Sequence, residues 1–217
     1  MLIVAIDTSG RKGSVALCRG DADNFEVPGL KVIEGGTYSA RLVPSIAELL
    51  DDAGVTKFQI EGVVVVDGPG SFTGLRVGLS TAKALCEAFE KPLATVSMLE
   101  ALAITHGRED ETVTTVLDAG RGEVYLGEYR IARHRAELQQ QSIVKLTDFL
   151  AQLPALRSRV ITTLAKLEDA TVVEALHADA IARIGLQKLL ARDTADPASL
   201  DANYIRRSDA ELFSLPK

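Results

Sequence analysis

The sequence has no tryptophan, and aromatic residues fill only 5 % of its 217 positions. Ala, Leu and Val must therefore supply most of the core. Cysteine is as scarce. Cys18 and Cys86 are the two present, and they form no C-x-x-C pair, which argues against a zinc ribbon or a redox dithiol. Both sit in apolar surroundings, the usual setting of buried free thiols, and that suits a reducing cytosol. No apolar run reaches the roughly 18 residues of a membrane-spanning helix. The apolar start, Met1 to Ile6, lacks a basic flank and is too short for a signal peptide, so a cytoplasmic location without membrane contact is expected. Surplus positive charge is missing too, since the net charge is −6. Proteins that grip nucleic acid on their own present a basic surface, so contact with RNA is expected only inside an assembly.

What is present describes a soluble α/β protein. Hydrophobic residues make up 47 % and charged residues 25 %, ordinary values for a globular chain. The length allows one or two domains that bury a core without staples. Met1–Asp7 reads as a buried strand, and Ser14–Cys18 as a second strand joined to it by a hairpin around Arg11-Lys12-Gly13. A third strand is expected at Leu30–Glu34. A helix over Ser39–Ala53 follows from Leu42, Val43, Ile46, Leu49 and Leu50 at helical spacing, with Gly54 at its end. Pro44 fits that helix only in or near its first turn. Gly62–Val66 is a strand, Thr73–Glu90 a long helix, Pro92–Val96 a strand, and Ser97–His106 a short helix. The polar stretch Gly107–Glu111 marks a boundary, giving halves at 1–108 and 109–217. The second half reads as strands at Thr112–Asp118, Glu123–Arg130, Ser142–Val144 and Arg159–Thr162. Helices are expected at Thr147–Leu153 and Ala175–Ala191, followed by an irregular tail from Asp193. Both halves share one outline of strand, turn, strand and alternating elements, which suggests two related α/β domains.

Several motifs invite a chemical reading beside a structural one. Asp7-Thr8-Ser9 ends a buried strand, where polar residues of α/β sheets meet ligands; a turn acid capping nearby N–H groups is the simpler account. Gly68-Pro69-Gly70-Ser71-Phe72-Thr73-Gly74 precedes a helix, where free N–H groups bind phosphate. It lacks the G-K-[ST] ending of a P-loop, and a tight connection whose glycines allow positive φ and close packing is the simpler account. Asp118-Ala119-Gly120-Arg121-Gly122 is a second acid–glycine turn, either a phosphate holder or a hairpin. The histidines, His106, His134 and His177, are too scattered to share a helix face, and H-E-x-x-H is absent. The helix Thr73–Glu90 is apolar on more than one side. Leu75, Leu79, Ala82, Cys86 and Phe89 form one stripe, and Val77, Thr81, Ala84, Leu85 and Ala88 fill much of the rest. Such a helix is buried on more than one side, as a central core helix or between its own sheet and a partner. Gly74, Gly78, Ala82 and Ala88 are small enough for close helix approach.

The stretch GPGSFTGLRVGLSTAKALCEAFEKPLATVSMLEAL, Gly68 to Leu102, resembles the signature of the TsaB (YeaZ-like) family. LIVAIDTSG, YSARLVPSI, VLDAGRGEVYLGEYR and the tail segment NYIRR resemble it in the same order. Tyr38 stands where that family commonly has His. The resemblance implies an actin-like (ASKHA) fold of two related α/β domains with mixed sheets. It implies a subunit that binds TsaD, the paralogue that transfers threonylcarbamoyl to the adenosine next to the anticodon of ANN-reading tRNAs. A TsaE-type ATPase would join that assembly, and a TsaC-type enzyme would supply the activated group. ATP would be used by the wider complex, with no cofactor intrinsic to this chain. TsaD-type sequences read P-L-x-x-V-N-H-x-x-x-H, with both histidines on a metal. Here Met98 and Leu102 stand at those positions, and neither side chain replaces an imidazole ligand. The expectation is a non-catalytic subunit without metal.

The expected partner face is a four-helix contact built on Leu42, Val43, Ile46, Leu49 and Leu50 of one helix and Leu75, Leu79, Ala82, Ala84 and Ala88 of the other. The same face could pair two copies of the chain as a homodimer when TsaD is absent. Asp7, Thr8, Ser9, Asp118 and Gly120 would be remnants of a phosphate site. The competing classes are an actin-like ATP-dependent phosphotransferase and a peptidase. The first needs a glycine-rich adenosine loop, yet Gly185 is the lone glycine between Ala132 and Lys217. The second lacks an identifiable nucleophile–base pair.

Overall fold

Every residue of Leu2–Asp7 (β1) is buried, as an unbroken apolar run at the centre of a sheet requires. Lys12–Gly20 (β2) pairs with it antiparallel, with Ile3 opposite Cys18 and Asp7 opposite Ser14. Phe25–Glu34 (β3) continues antiparallel at the edge. On the other side, Gly62–Gly68 (β4) and Leu93–Ser97 (β5) run parallel to β1. The sheet order is therefore β3-β2-β1-β4-β5. Tyr38–Asp52 (α1) and Phe72–Phe89 (α2) make the crossovers that parallel strands demand. Met98–His106 (α3) follows β5 directly.

The second sheet repeats this plan. Thr112–Gly120 (β6), Glu123–Ala132 (β7) and Arg135–Lys145 (β8) are antiparallel, and Arg159–Thr162 (β9) and Thr171–Val172 (β10) run parallel beyond β6. Leu146–Gln152 (α4) packs its buried Phe149 with Val116, Val124, Leu153, Val160 and Leu167. Burying side chains of this size contributes about 2 kcal/mol each. An antiparallel trio flanked by two parallel strands, present twice, is the actin-like α/β architecture. The structure, a computed structural model, describes residues 1–133, 135–165, 167 and 169–201. His134, the NYIRR segment and the rest of the expected irregular tail past 201 lie outside the described residues.

Contacts divide the chain into Met1–Ala101 with the stretch that begins at Leu176, and Leu102–Ala175. The last helix, Ala178–Leu190 (α5), was expected in the second half of a chain cut at 108/109. It packs instead on β1, β2, β4 and β5. Ala178 N donates to Ser14 Oγ at 2.8 Å, and Gly185 lies so close to Val64 that a Cβ there would collide. The lone glycine of this stretch thus serves close helix–sheet packing.

Three further details depart from the sequence reading. β3 begins at Phe25 rather than Leu30, because an edge strand tolerates Pro28 and Gly29. β8 extends from Arg135 rather than Ser142, its first half being polar and mostly exposed, with no apolar alternation to signal it. Pro44 lies in the second turn of α1, not the first. Its ring is on the exposed face, and its cost is the bond that its nitrogen cannot donate together with crowding of the Ala40 carbonyl one turn earlier.

Candidate functional site

The Asp7 turn is closed on itself. Asp7, 3 % exposed, accepts from Ser9 N at 2.8 Å and Ser9 Oγ at 2.7 Å through Oδ1. Burial pushes its carboxyl above the usual carboxylate range, and the Ser9 bonds and nearby His177 pull it back down. Thr8 Oγ1 donates to Gly74 O at 2.7 Å, so both hydroxyls of the turn point inward. The glycine-rich loop lies directly on this turn. Ser71 N donates to Ser9 O at 2.7 Å. A Cβ on Gly70 would sit 2.7 Å from Ser9 Cβ, one on Gly74 would strike Thr8 O, and one on Gly78 would strike Thr8 Oγ1. The loop glycines allow this approach. Ser71 also caps α2, its hydroxyl accepting from Gly74 N at 3.3 Å.

Asp118 belongs to the other unit and heads a tight hairpin. Its Oδ1 accepts from Gly120 N at 2.8 Å, and Gly120, Arg121 and Gly122 all have positive φ. In both turns the acid carboxylate accepts from its own backbone, as in an Asx turn. Met98 is 8 % exposed and Leu102 fully buried, so both positions of α3 pack as core. Among the described residues no group of three or more His, Cys, Asp or Glu side chains is placed to hold a metal. Cys18 and Cys86 are buried free thiols, pushed up to about 12 and about 11, chiefly by burial.

The two crossover helices divide sharply into inner and outer faces. α1 buries Tyr38, Leu42, Ser45, Ile46, Leu49 and Leu50 against its own unit and exposes Ser39, Ala40, Arg41, Val43, Pro44, Ala47, Asp51 and Asp52. α2 buries Gly74, Leu75, Gly78, Leu79, Ala82 and Cys86. It exposes Phe72, Thr73, Arg76, Ser80, Ala84, Glu87 and Ala88, with Val77, Thr81, Leu85 and Phe89 half-buried. Of the residues expected on the partner face, Val43, Ala84 and Ala88 are outward. Leu42, Ile46, Leu49, Leu50, Leu75, Leu79 and Ala82 are not, because α1 uses them against β2, β3 and α2, and α2 against β4 and β1. Gly74, Gly78 and Ala82 likewise face inward, so of the small residues named for helix approach Ala88 alone is exposed. The outer surface still presents small and apolar side chains. Val43 is 57 % exposed and Phe72 40 %.

Sequence reasoning missed a polar cluster beside β5. Lys188 Nζ donates to Glu100 Oε2 at 2.9 Å and to Thr95 O at 3.1 Å. Asp67, the extra residue of a bulge between Val66 and Gly68, has its carboxyl raised mainly by burial. Asp67 Oδ1 and Ser97 Oγ are buried without a partner. Only the return of α5 to this sheet brings Lys188 here, and no local pattern announces that. The pin made by Tyr38 was also missed: its hydroxyl donates to Gly10 O at 2.7 Å.

Residues 35–200 match the family model described as TsaD, tRNA N6-adenosine threonylcarbamoyltransferase. The chain is 35 % identical over 158 residues to the tRNA threonylcarbamoyladenosine biosynthesis protein TsaB of Bacillus subtilis (strain 168), covering 70 % of this chain and 66 % of that protein. It is 34 % identical over 134 residues to the protein of the same name from Escherichia coli (strain K12), covering 60 % and 55 %. The match thus spans less than two thirds of either relative. A Pseudomonas aeruginosa structure, described as an uncharacterized protein with similarity to peptidase YEAZ, superimposes with a TM-score of 0.75 at 23 % identity. It covers 94 % of this chain and 99 % of that one, and shows the same fold.

Proposed function

The chain belongs to the TsaD family, as a TsaB-type (YeaZ-like) member, and on that footing we propose that it is a non-catalytic subunit that holds a TsaD-type transferase. In this reading the transferase modifies the adenosine next to the anticodon of ANN-reading tRNAs in the cytoplasm. A TsaE-type ATPase joins the assembly, and ATP is used there rather than by this chain.

The observation that carries the proposal is the outward surface of α1 and α2. Ala40, Val43, Ala47, Ala84 and Ala88 are short or apolar and exposed, and they leave room for two helices of a partner to approach closely. A stable contact of this kind buries on the order of 1,600 Å² in total. Two copies of the chain would use the same face when TsaD is missing. Support for a non-catalytic role comes from Met98 and Leu102 packing as core and from the inward-pointing hydroxyls of the Asp7 turn. The test is co-purification of the untagged chain with a tagged TsaD-type protein, where a stoichiometric complex is expected. Calorimetric titration of ATP into the isolated chain separates this reading from a phosphotransferase, for which tight binding would be required.

A further inference from the structure

Tyr38 is the first residue of α1, yet it is only 5 % exposed. Its hydroxyl reaches across to Gly10 O at 2.7 Å. Its ring fills the space where a Cβ on Gly13 would come within 2.8 Å of Cε1, and where a Cβ on Gly74 would come within 3.3 Å of Cε2. One side chain therefore touches the β1–β2 hairpin, the start of α1 and the first turn of α2. Burial first, then the charges of Asp7 and Glu34, push the phenol up to about 12, so it stays a donor at every working pH.

Besides the packing of Leu42, restraints on this end of α1 are few. The connection from β3 is Gly35-Gly36-Thr37. Gly36 has φ +83, and a Cβ added there would meet nothing within 4 Å. Gly35 N donates to Arg11 O at 2.6 Å, holding the base of the link rather than the helix. Thr37 Oγ1 donates to Glu34 O at 2.6 Å and does not cap the helix. The far end of α1 is held differently, by Lys31 between Glu48 at 2.9 Å and Asp52 at 3.0 Å.

We propose that Tyr38 is a positioning residue for the partner face, setting the N-terminal turns of α1 and α2 together against the hairpin so that the face meets its partner preformed. The proposal rests on the TsaD-binding reading above. A single neutral hydrogen bond shifts a local equilibrium about fivefold. With the pinned and unpinned arrangements comparably populated, that shift lowers the competent fraction, and weakens binding, about twofold.

The test compares Tyr38→Phe with Ile46→Val, a core change on the same helix that costs similar global stability without touching the pin. On the isolated full chain, amide exchange is measured for Ala40–Leu42 in α1 and Leu75–Val77 in α2. Tyr38→Phe is expected to speed both sets about twofold, while Ile46→Val leaves the two sets uncoupled. Affinity for the TsaD-type protein is then measured, with Tyr38→Phe expected to raise the Kd about twofold and Ile46→Val to leave it unchanged. Unchanged exchange in either helix overturns the proposal. So does faster exchange with an unchanged Kd. If the wild-type chain does not bind TsaD at all, the partner reading fails, and the exchange data still decide whether Tyr38 couples the two helices.

Discussion

Gly78 meets Thr8 where α2 crosses the end of β1, and a Cβ there would strike the Thr8 hydroxyl. That hydroxyl is itself engaged with Gly74 O, so it cannot turn aside without leaving a buried polar atom unpaired. Gly78→Ala should therefore destabilise the chain by about 1–3 kcal/mol, read as a lower urea midpoint. An unchanged midpoint would mean that the clash costs no more than the roughly 1 kcal/mol that alanine gains over glycine inside a helix. In the other unit, Glu111 accepts from Arg159 Nε and Nη2, both at 2.8 Å, and this pairing holds its carboxyl down at about 2 from 4.5. A depressed acid contributes stability that is fully present above its unfolded pKa and is lost as pH falls through the folded one. The loss should run from about pH 4.5 down to about pH 2. With 22 % of the side chain exposed, screening leaves on the order of 1–2 kcal/mol. Glu111→Gln should remove that contribution at pH 7 and flatten the acid limb between those values. A variant whose acid limb matches the wild type would contradict the pairing.

At the scale of elements, α2 settles which stripe faces out. Leu79 is 4 % exposed, whereas Ala84 lies on the open side. Leu79→Glu places an unpaired charge in the core and should cost about 3–5 kcal/mol. Ala84→Glu should change stability by no more than about 0.5 kcal/mol yet abolish retention of a TsaD-type partner in pull-down. Circular dichroism and light scattering distinguish the two outcomes. If both variants fold and retain the partner, the contact lies elsewhere. The sequence shows that α2 is apolar nearly all round, and Ser71 and Glu90 bracket it as cap and terminator. Periodicity alone cannot say which apolar side is inward, since Leu79 and Ala84 are equally acceptable on either face. The choice is made by Thr8, which needs Gly74 and Gly78 beside it, and that is a long-range contact. The same reason hid Tyr38, whose partner Gly10 lies across the β1–β2 turn and not along the helix. The strand β1 was legible because its burial on both faces leaves a continuous apolar run, and β8 was largely illegible because its first half is polar.

At the scale of the whole molecule, the two five-stranded sheets of one order among the described residues carry the family's fold, but chain order and unit membership part company at α5. Nothing local to Ala178–Leu190 distinguishes a helix that stays with its own strands from one that returns to the first sheet. Gly185 and Lys188 are the residues that make the return fit, one by closeness to Val64 and the other by pairing with Glu100. The expectation that the chain carries no metal is tested at this scale, since a site could draw on any part of it. Elemental analysis of untagged protein should find well under one equivalent of iron or zinc, and a stoichiometric ion would show that the burial of Met98 and Leu102 does not describe the metal chemistry of this chain. The most direct measurement is tRNA modification by TsaC-, TsaD- and TsaE-type proteins with and without this chain. Threonylcarbamoyladenosine should form only when the chain is present, and the chain alone should form none. Product at an undiminished rate without it, or product from it in the absence of TsaD, would contradict a non-catalytic subunit on which the transferase depends.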